Sequence, residues 1–267
     1  MYFEKLIEPE IATRPYNMFL YGRNNTQRET LLKSIAEKHP FCFRKNQSCV
    51  VYLDEFGLPA VEKKATNADD KILIDIAFRY LDFCIAEAVL KKVVASGNVS
   101  RKDSKKIINY FYFHRSANRP KNVEGLIQKI KASKEAHRRG YLNYCLTGDE
   151  NELSCFAKNL DIPFIVQLED FLKEIQDIAE NKEPFMVILD RKSKIKYISV
   201  KVINSLIRSR STDCICIKVA CECNEWESEY DCYGNLVLVN HDYLIVELDD
   251  SFEKYLEDQS RHCHNDD

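Results

Sequence analysis

The chain has 267 residues, of which 45% are hydrophobic and 30% are charged, and its formal net charge is −3. This composition supports a packed core and excludes a wholly disordered chain, while the small net charge alone indicates no class of partner. No apolar run approaches the roughly 20 residues that a membrane-spanning helix needs, and the first residues lack the apolar core of a signal peptide. We therefore expect a cytoplasmic protein whose 11 cysteines are reduced thiols.

Short apolar runs alternate with segments of helical periodicity along the chain. This alternation predicts an α/β protein with a mostly parallel sheet of about five strands flanked by helices. The predicted strands cover residues 18–21, 49–53, 185–189, 214–219 and 243–248, and the predicted helices cover residues 28–39, 68–96, 100–115, 122–140, 152–160, 164–183 and 199–211. We expect one domain over residues 1–260, an all-helical insertion at about 67–160 and a frayed acidic tail at 261–267.

Charge is distributed unevenly along the sequence. Residues 91–140 contain 14 Lys or Arg and 3 Asp or Glu, whereas residues 222–267 contain 14 acidic and 2 basic residues. Solvated helix faces and a soluble tail would explain both segments, but the basic segment also fits a nucleic-acid surface. The candidate nucleic-acid contacts are Arg101, Lys102, Lys105, Lys106, Arg115, Arg119 and Lys121.

The stretch NMFLYGRNNTQRETLLKSIAEKHP has the order strand, loop, helix. It resembles the phosphate-binding loop G-x-x-x-x-G-K-[ST], in which glycines admit backbone amides to the phosphates, lysine neutralises them and the hydroxyl binds Mg²⁺. Gly22 fills the first position, but Gln27, Arg28 and Glu29 stand where the second glycine, the lysine and the hydroxyl residue are expected. Thr30 comes one position late and opens the helical pattern.

These departures weaken the expected site. Arg28 keeps the charge in a bulkier, forked group, and the carboxylate of Glu29 would repel phosphates unless a cation intervened. Losing two charge-assisted hydrogen bonds costs roughly 3–6 kcal/mol, or about 10² to 10⁴ in affinity. A structural strand-turn-helix and a residual nucleotide site both stay open. The residual site would comprise Gly22, Arg23, Asn24, Asn25, Thr26, Gln27, Arg28, Glu29, Thr30 and Asp190.

Four further segments carry a resemblance to a known family. SCVVYLDEFG follows the first helix, and NSLIRSR, IKVA and HDYLIVELDD follow the strand that ends in Asp190. Their order is similar to that in the bacterial origin-recognition-complex-type (ORC) AAA+ ATPases, over about residues 17–53 and 184–250. The resemblance implies a P-loop NTPase-like sheet, with ATP and Mg²⁺ as the cofactor. The basic helical middle matches no part of that pattern.

The resemblance also assigns expected roles to single residues. Asp190 would support Mg²⁺, but Arg191 follows it where the family carries the glutamate that polarises the attacking water. Arg208 and Arg210 occupy the positions of arginines that act near a neighbouring subunit's nucleotide, although the basic last turn of a helix would also explain them. Cys221 and Glu222 stand at the position that senses the γ-phosphate.

Four departures from the family pattern therefore predict a retained fold with weak or no ATP hydrolysis. We expect a binding or regulatory subunit that works with a protein partner or as a homo-oligomer, and the resemblance implies a DNA-associated or phage-defence complex. One alternative is a slow ATPase that uses Arg28 for the lysine and Asp190 for Mg²⁺. Another alternative is a purely structural interaction domain.

Cysteine chemistry and aromatic stacking give weaker signals. A zinc site of the thiolate-imidazole type is conceivable, but its spacing is not that of a standard knuckle, and we expect no metal. Cysteine-histidine catalysis has little support, because no cysteine stands in a recognisable nucleophile motif. The run INYFYFHRSANRPKN places aromatic residues 110–113 beside cations, which suits either single-stranded nucleic acid or core packing. The zinc ligands would be Cys221, Cys223, Cys232 and His241.

Overall fold

Five strands form one sheet in the part of the chain that the structure describes. The computed structural model describes residues 13–22, 25–59, 70–112, 119–148, 168–191, 197–209, 212–221, 226 and 228–248. The strands are β1 (Met18–Tyr21), β2 (Cys49–Leu53), β3 (Phe185–Asp190), β4 (Ile215–Cys221) and β5 (Leu244–Glu247). Their order is β2-β3-β4-β1-β5, and every neighbouring pair is parallel. The predicted five-stranded parallel α/β sheet is confirmed.

The sheet is covered on both faces, which explains the continuous apolar runs of its central strands. All residues of β3 and β4 are buried, as expected for parallel strands with helices on each side. On one face, Met18 and Leu20 of β1 join a core cluster with Leu31 and Leu32. On the other face, Phe19 joins the larger cluster.

Six helices flank the sheet within the described ranges. Two of them, α2 and α6, match the predicted segments to within two residues at each end, and the other four differ by three or more residues at one end or both. The helices are α1 (Asn25–Lys38), α2 (Asp70–Ala95), α3 (Arg101–Phe111), α4 (Val123–Thr147), α5 (Leu168–Ala179) and α6 (Tyr197–Ser209).

α1 and α4 extend beyond the predicted segments. α1 begins at Asn25, three residues before the predicted helix at 28–39, so the loop after β1 is shorter than predicted. α4 continues past Gly140, where the sequence suggested a stop, because Tyr141 and Tyr144 extend its buried face. The helix ends instead at Gly148, whose φ of 74° is left-handed and whose N–H donates to the carbonyl of Tyr144.

The helical middle shares its core with the sheet. α2 packs against α4 on one side and against β2 and α6 on the other. Leu90 and Val93 of α2 belong to the same buried cluster as Ile130 of α4 and Val187 of β3. α2 is therefore the element that joins the inserted helices to the sheet.

None of the helices that the structure describes is long and apolar enough to cross a bilayer.

Several predictions fall on residues outside the described ranges. The predictions that lie outside are the helix at 152–160, the tail at 261–267, and the side chains of Arg23, Asn24, Asn25, Thr26, Arg115, Arg210, Glu222 and Cys223.

Candidate nucleotide site at the carboxyl edge of the sheet

The phosphate loop lies where the sheet topology places it. In a parallel sheet the carboxyl ends of all strands meet at one edge, which is where ligands of such sheets bind. β1 ends at Tyr21 and is followed by Gly22. Arg28 of α1 donates hydrogen bonds both to the carbonyl of Gly22 and to Asp190, the last residue of β3. The sequence-predicted residues Gly22, Arg28 and Asp190 are thus brought together.

Arg28 uses all three of its guanidinium nitrogens inside the protein. Its Nε donates to Oδ1 of Asp190 at 3.0 Å, its Nη1 to the carbonyl of Gly22 at 3.3 Å, and its Nη2 to the carbonyl of Arg191 at 3.3 Å. The side chains of Arg28 and Asp190 are 1% and 0% exposed. The charge that replaces the phosphate-binding lysine is therefore neutralised by the acid that would support Mg²⁺.

Tyr52 completes this network from β2. Its hydroxyl donates to Oδ2 of Asp190 at 2.6 Å, so both carboxylate oxygens accept a hydrogen bond. Burial raises the pKa of Tyr52 well above its ordinary value, and the hydrogen bond and charge of Asp190 raise it further, so the phenol stays protonated. We refer to Arg28, Asp190 and Tyr52 as the closed triad.

The sequence did not identify Tyr52 as a site residue. It stands near the end of a predicted strand, which was a usable signal, but its contact with Asp190 depends on β2 lying next to β3. Strand order is not readable from the sequence, because other strands of similar apolar composition would fit the same place.

Opening the closed triad would have an energetic cost. Removing one partner of a buried ion pair leaves the other charge unpaired and costs about 3–5 kcal/mol. A phosphate that recruits Arg28, or a Mg²⁺ ion that recruits Asp190, would have to offset that loss. The arrangement pairs the charges of Arg28 and Asp190 with each other, and both side chains are buried.

Glu29 forms an ion pair within α1. Its Oε1 lies 2.6 Å from Nζ of Lys33, one helical turn further along α1. The same Lys33 ammonium lies 5.6 Å from the ring centroid of Tyr52. Gln27 and Thr30 are exposed on this helix. The four positions after the loop therefore provide one buried arginine and three side chains on or near the surface.

Arg208 is engaged within its own chain. Its Nη1 lies 3.2 Å from Oδ2 of Asp231, and its side chain is 43% exposed. Asp231 also accepts the backbone N–H groups of Tyr233 and Asn235 at 2.8 Å. Burial would raise the pKa of Asp231, but its hydrogen bonds from Asn235, Tyr233 and Arg208 outweigh burial and hold the pKa below its ordinary value. Arg208 thus fixes the loop between β4 and β5.

Four of the predicted nucleic-acid residues lie on the exposed side of α3. Four cations on α3 are exposed, while Ile107, Ile108 and Phe111 bury the opposite side of the helix. Arg119 donates a hydrogen bond to Asn109, which is exposed on α3 among these cations. Lys121 is exposed as well. We define the basic face as Arg101, Lys102, Lys105, Lys106 and Arg119.

The aromatic residues beside this face are part of the core. Phe111 and Tyr112 are buried, and Phe111 packs edge-on against Phe171 of α5 at a centroid distance of 5.0 Å. Tyr110 also contacts Phe171, at 5.8 Å. Core packing, rather than a platform for stacked bases, accounts for these three rings.

The described cysteines offer neither a disulfide nor a metal centre. None of the eight described cysteines is in a disulfide. No group of three His, Cys, Asp or Glu side chains suited to a metal occurs within the described ranges, so Cys221, Cys232 and His241 do not form one. Burial raises the pKa of Cys49 and Cys84 to about 12, which suppresses their thiolates.

The comparison with known families covers most of the chain. The family model described as ORC-CDC6-like matches residues 62–265, which include β3, β4, β5 and the helical middle. Our expectation that the helical middle lies outside the family pattern was therefore wrong. β1, the phosphate loop and β2 lie before the matched range. No curated protein and no solved structure matched the chain. The parallel sheet is that of a P-loop NTPase-like, AAA+-related fold, and the chain belongs to the ORC-CDC6-like family.

Proposed function

We propose that this chain is a degenerate AAA+ P-loop protein that acts as a binding or regulatory subunit and hydrolyses ATP weakly or not at all. The observation that carries the proposal is the closed triad, because Arg28 and Asp190 neutralise each other at 3.0 Å in a fully buried position. Phosphoryl transfer needs a cation on the phosphates and a ligand for Mg²⁺ at the same time. In this chain Arg28 and Asp190, which would supply the cation and the Mg²⁺ ligand, form a salt bridge with each other.

Calorimetry with ATP and Mg²⁺ tests this proposal directly. We expect no saturable heat below about 1 mM for the natural chain, and no rise in its melting temperature. Lys38→Ala is the matched control, since it removes an exposed cation from the last turn of the same helix. Tight binding that is lost in Arg28→Ala but kept in Lys38→Ala would contradict the proposal.

The slow ATPase is distinguished from this function by turnover. That alternative requires Arg28 to reach the phosphates and Asp190 to hold Mg²⁺, and therefore requires the closed triad to open. ATP hydrolysis above background that disappears in Asp190→Asn would support it. Hydrolysis that is unchanged in Asp190→Asn would come from a contaminant and would not support it.

A second candidate function is nucleic-acid binding by the basic face. No ion pair involves Arg101, Lys102, Lys105 or Lys106 within the described ranges, so their charge is directed to solvent. Phosphate backbones bind such surfaces with a strong dependence on salt. This function would give the ORC-CDC6-like chain a contact with DNA or RNA that does not depend on nucleotide.

Fluorescence polarisation tests the basic face with labelled single- and double-stranded oligonucleotides of about 20 nucleotides. We expect the double variant Lys102→Glu, Lys105→Glu to lose binding and to flatten the salt dependence by about 0.7–0.9 per lost phosphate contact. Lys38→Glu, Lys45→Glu is the control, because both lysines are exposed outside the helical middle. Equal affinity of the two double variants would exclude the basic face.

The partner is proposed from the family rather than from a contact. Arg208 and Arg210 are candidates for arginines that act on a neighbouring subunit's nucleotide, within a homo-oligomer or with a partner ATPase in a DNA-associated or phage-defence complex. For Arg208 this role would replace its bond to Asp231. Light scattering with and without ATP tests the homo-oligomer, and a monomer in both conditions would favour the structural interaction domain or a different partner.

A further inference from the structure

A cleft of about 250 Å³ lies on the face of the sheet opposite to α1. Phe19 and Tyr21 of β1 and Tyr243, which precedes β5, line it together with Trp226. Its volume is below the roughly 300–1,000 Å³ of pockets for drug-sized ligands. The cleft therefore fits a single long side chain better than a whole cofactor.

The aromatic walls of the cleft are held in place. Phe19 meets Trp226 edge-on at a centroid distance of 5.0 Å and Tyr243 edge-on at 4.5 Å. Nε1 of Trp226 donates to Oδ1 of Asn204 at 3.1 Å, and Nδ2 of Asn204 donates to the carbonyls of Ser228 and Tyr230. α6, which carries Asn204, thereby fixes both the indole and the loop that covers the cleft.

The charge of the cleft is negative. Glu229 is its one charged lining residue, and no lysine or arginine lines it in the part of the chain that the structure describes. Burial raises the pKa of Tyr243, and the carboxylates of Glu229 and Asp242 raise it further, so their charge is felt at the ring. Aromatic faces beside a carboxylate attract cations that carry an apolar stem.

Exposed apolar side chains occur in the segment 230–239, and one of them, Val239, lines the cleft. Five of the eight large hydrophobic side chains that are exposed within the described ranges lie in residues 230–239, and Tyr233 is 79% exposed. The segment is not loose, because Asp231 holds the turn and Tyr230 forms an antiparallel bridge with Leu236. Several exposed apolar side chains grouped on one ordered segment are typical of an interaction site. We define the apolar rim as Tyr230, Tyr233, Leu236, Leu238 and Val239.

We propose that the cleft and the apolar rim form a docking site for a partner protein, which inserts an arginine or lysine side chain into the cleft and lays neighbouring apolar residues on the rim. Charge complementarity selects this occupant, since an aromatic cleft whose one charged lining side chain is a carboxylate favours a cation over a neutral or acidic group. The 14 acidic residues in the segment 222–267 add attraction at longer range. The site lies on the other face of the sheet from α1 and does not depend on the closed triad.

The chain contains a single tryptophan, and it lines this cleft, so its emission reports occupancy. The probes are acetylated and amidated peptides Leu-Gly-X-Gly-Leu, in which X is arginine, lysine, citrulline or norleucine. We expect saturable changes in emission with the arginine and lysine peptides, and binding at least about tenfold weaker with the neutral citrulline and norleucine peptides.

Two variants and one small molecule complete the test. Glu229→Gln should weaken binding of the arginine peptide by about fivefold or more, while Glu37→Gln, an exposed carboxylate on α1, should leave it unchanged. Equal affinity for all four peptides, no saturable change with any of them, or an unaltered Glu229→Gln variant would overturn the proposal. Binding of arginine amide as tightly as the arginine peptide would also overturn it, because the apolar rim would then contribute nothing.

Discussion

At the scale of single residues, the arginine at position 28 determines the hydrogen bonds at the carboxyl edge of the sheet. A lysine places one compact charge beside a phosphate, whereas arginine carries a rigid fork of donors. Here that fork matches Asp190 and two backbone carbonyls, so Arg28 is satisfied without a ligand. Asp190 in turn accepts from Tyr52. The polar groups that the resemblance assigns to nucleotide binding instead link the first turn of α1 to the carboxyl ends of β2 and β3.

Breaking the closed triad should therefore cost stability. We expect Asp190→Asn to lower the free energy of unfolding by about 3–5 kcal/mol and Tyr52→Phe by about 1–3 kcal/mol. Lys33→Met, which removes an exposed pair, should change it by about 0.5 kcal/mol or less. Urea denaturation measures all three, and a double variant of Asp190 and Tyr52 should lose less than the sum. Additive losses would mean that the two side chains do not act together.

Lys218 is a buried cation in the middle of β4. Its Nζ donates to the carbonyls of Arg14 and Tyr16 at 3.1 and 3.3 Å. Burial lowers the pKa of Lys218 from 10.5 to about 8, with a smaller opposing contribution from Cys216. Between these two pH values the unfolded chain binds the proton and the folded chain does not. The folded state therefore gains stability from this group as pH rises through that window.

The pH dependence of stability should reveal this lysine. We expect the difference in unfolding free energy between the natural chain and Lys218→Met to shift in favour of the natural chain as pH rises from about 8 to 10, by at most about 1.4 kcal/mol per pH unit. The comparison cancels the titration of tyrosines and cysteines that both proteins share. A difference that stays flat over this range would show that Lys218 keeps its charge when folded.

At the scale of elements, α3 depends on its first turn. The hydroxyl of Ser100 accepts from the backbone N–H of Asp103 at 3.1 Å and donates to the Asp103 carboxylate at 2.6 Å. The rest of the exposed side of this helix carries like charges, which repel one another. The N-cap therefore stabilises the first turn of α3 and offsets part of the repulsion between these charges.

Ser100→Ala should destabilise the protein by about 0.5–2 kcal/mol, and Ser100→Asp should restore most of this loss. The residue is exposed, so the change creates no cavity. Thermal unfolding followed by circular dichroism measures the effect. An unchanged melting temperature of Ser100→Ala would contradict the role of Ser100 as the N-cap of α3.

At the scale of the whole molecule, the inserted helices and the sheet share one core. α2 contacts β2, α4 and α6, and the buried cluster runs from Phe19 of β1 to Tyr144 of α4 without a break. Elements that share a core unfold together. The helical middle is an insertion in the sequence, but its apolar contacts tie it to the sheet.

We therefore expect a single cooperative transition in urea. Far-ultraviolet circular dichroism reports the helices, and the emission of Trp226 reports the side of the sheet formed by β1 and β5. The two curves should coincide in midpoint and slope. Two separated transitions would mean that the helical middle is an independent unit, as in a chain with two domains.

The sequence by itself determined the five strands to within two residues and most of the helices, because buried parallel strands and amphipathic helices have strong local patterns. It also indicated the basic face, since cations on a helix with a buried opposite side are legible from spacing alone. Its helix ends were less accurate, as at Gly140, where the helix continues because Tyr141 and Tyr144 are buried.

Only the tertiary structure showed which groups Arg28 and Asp190 contact. Arg28 and Asp190 are 162 positions apart, and Tyr52 reaches Asp190 across 138 positions, so no local pattern links them. The aromatic cleft likewise joins β1 to a loop more than 200 positions away. Both arrangements depend on strand order and side-chain direction, which follow from the packing of the whole chain rather than from any segment of it.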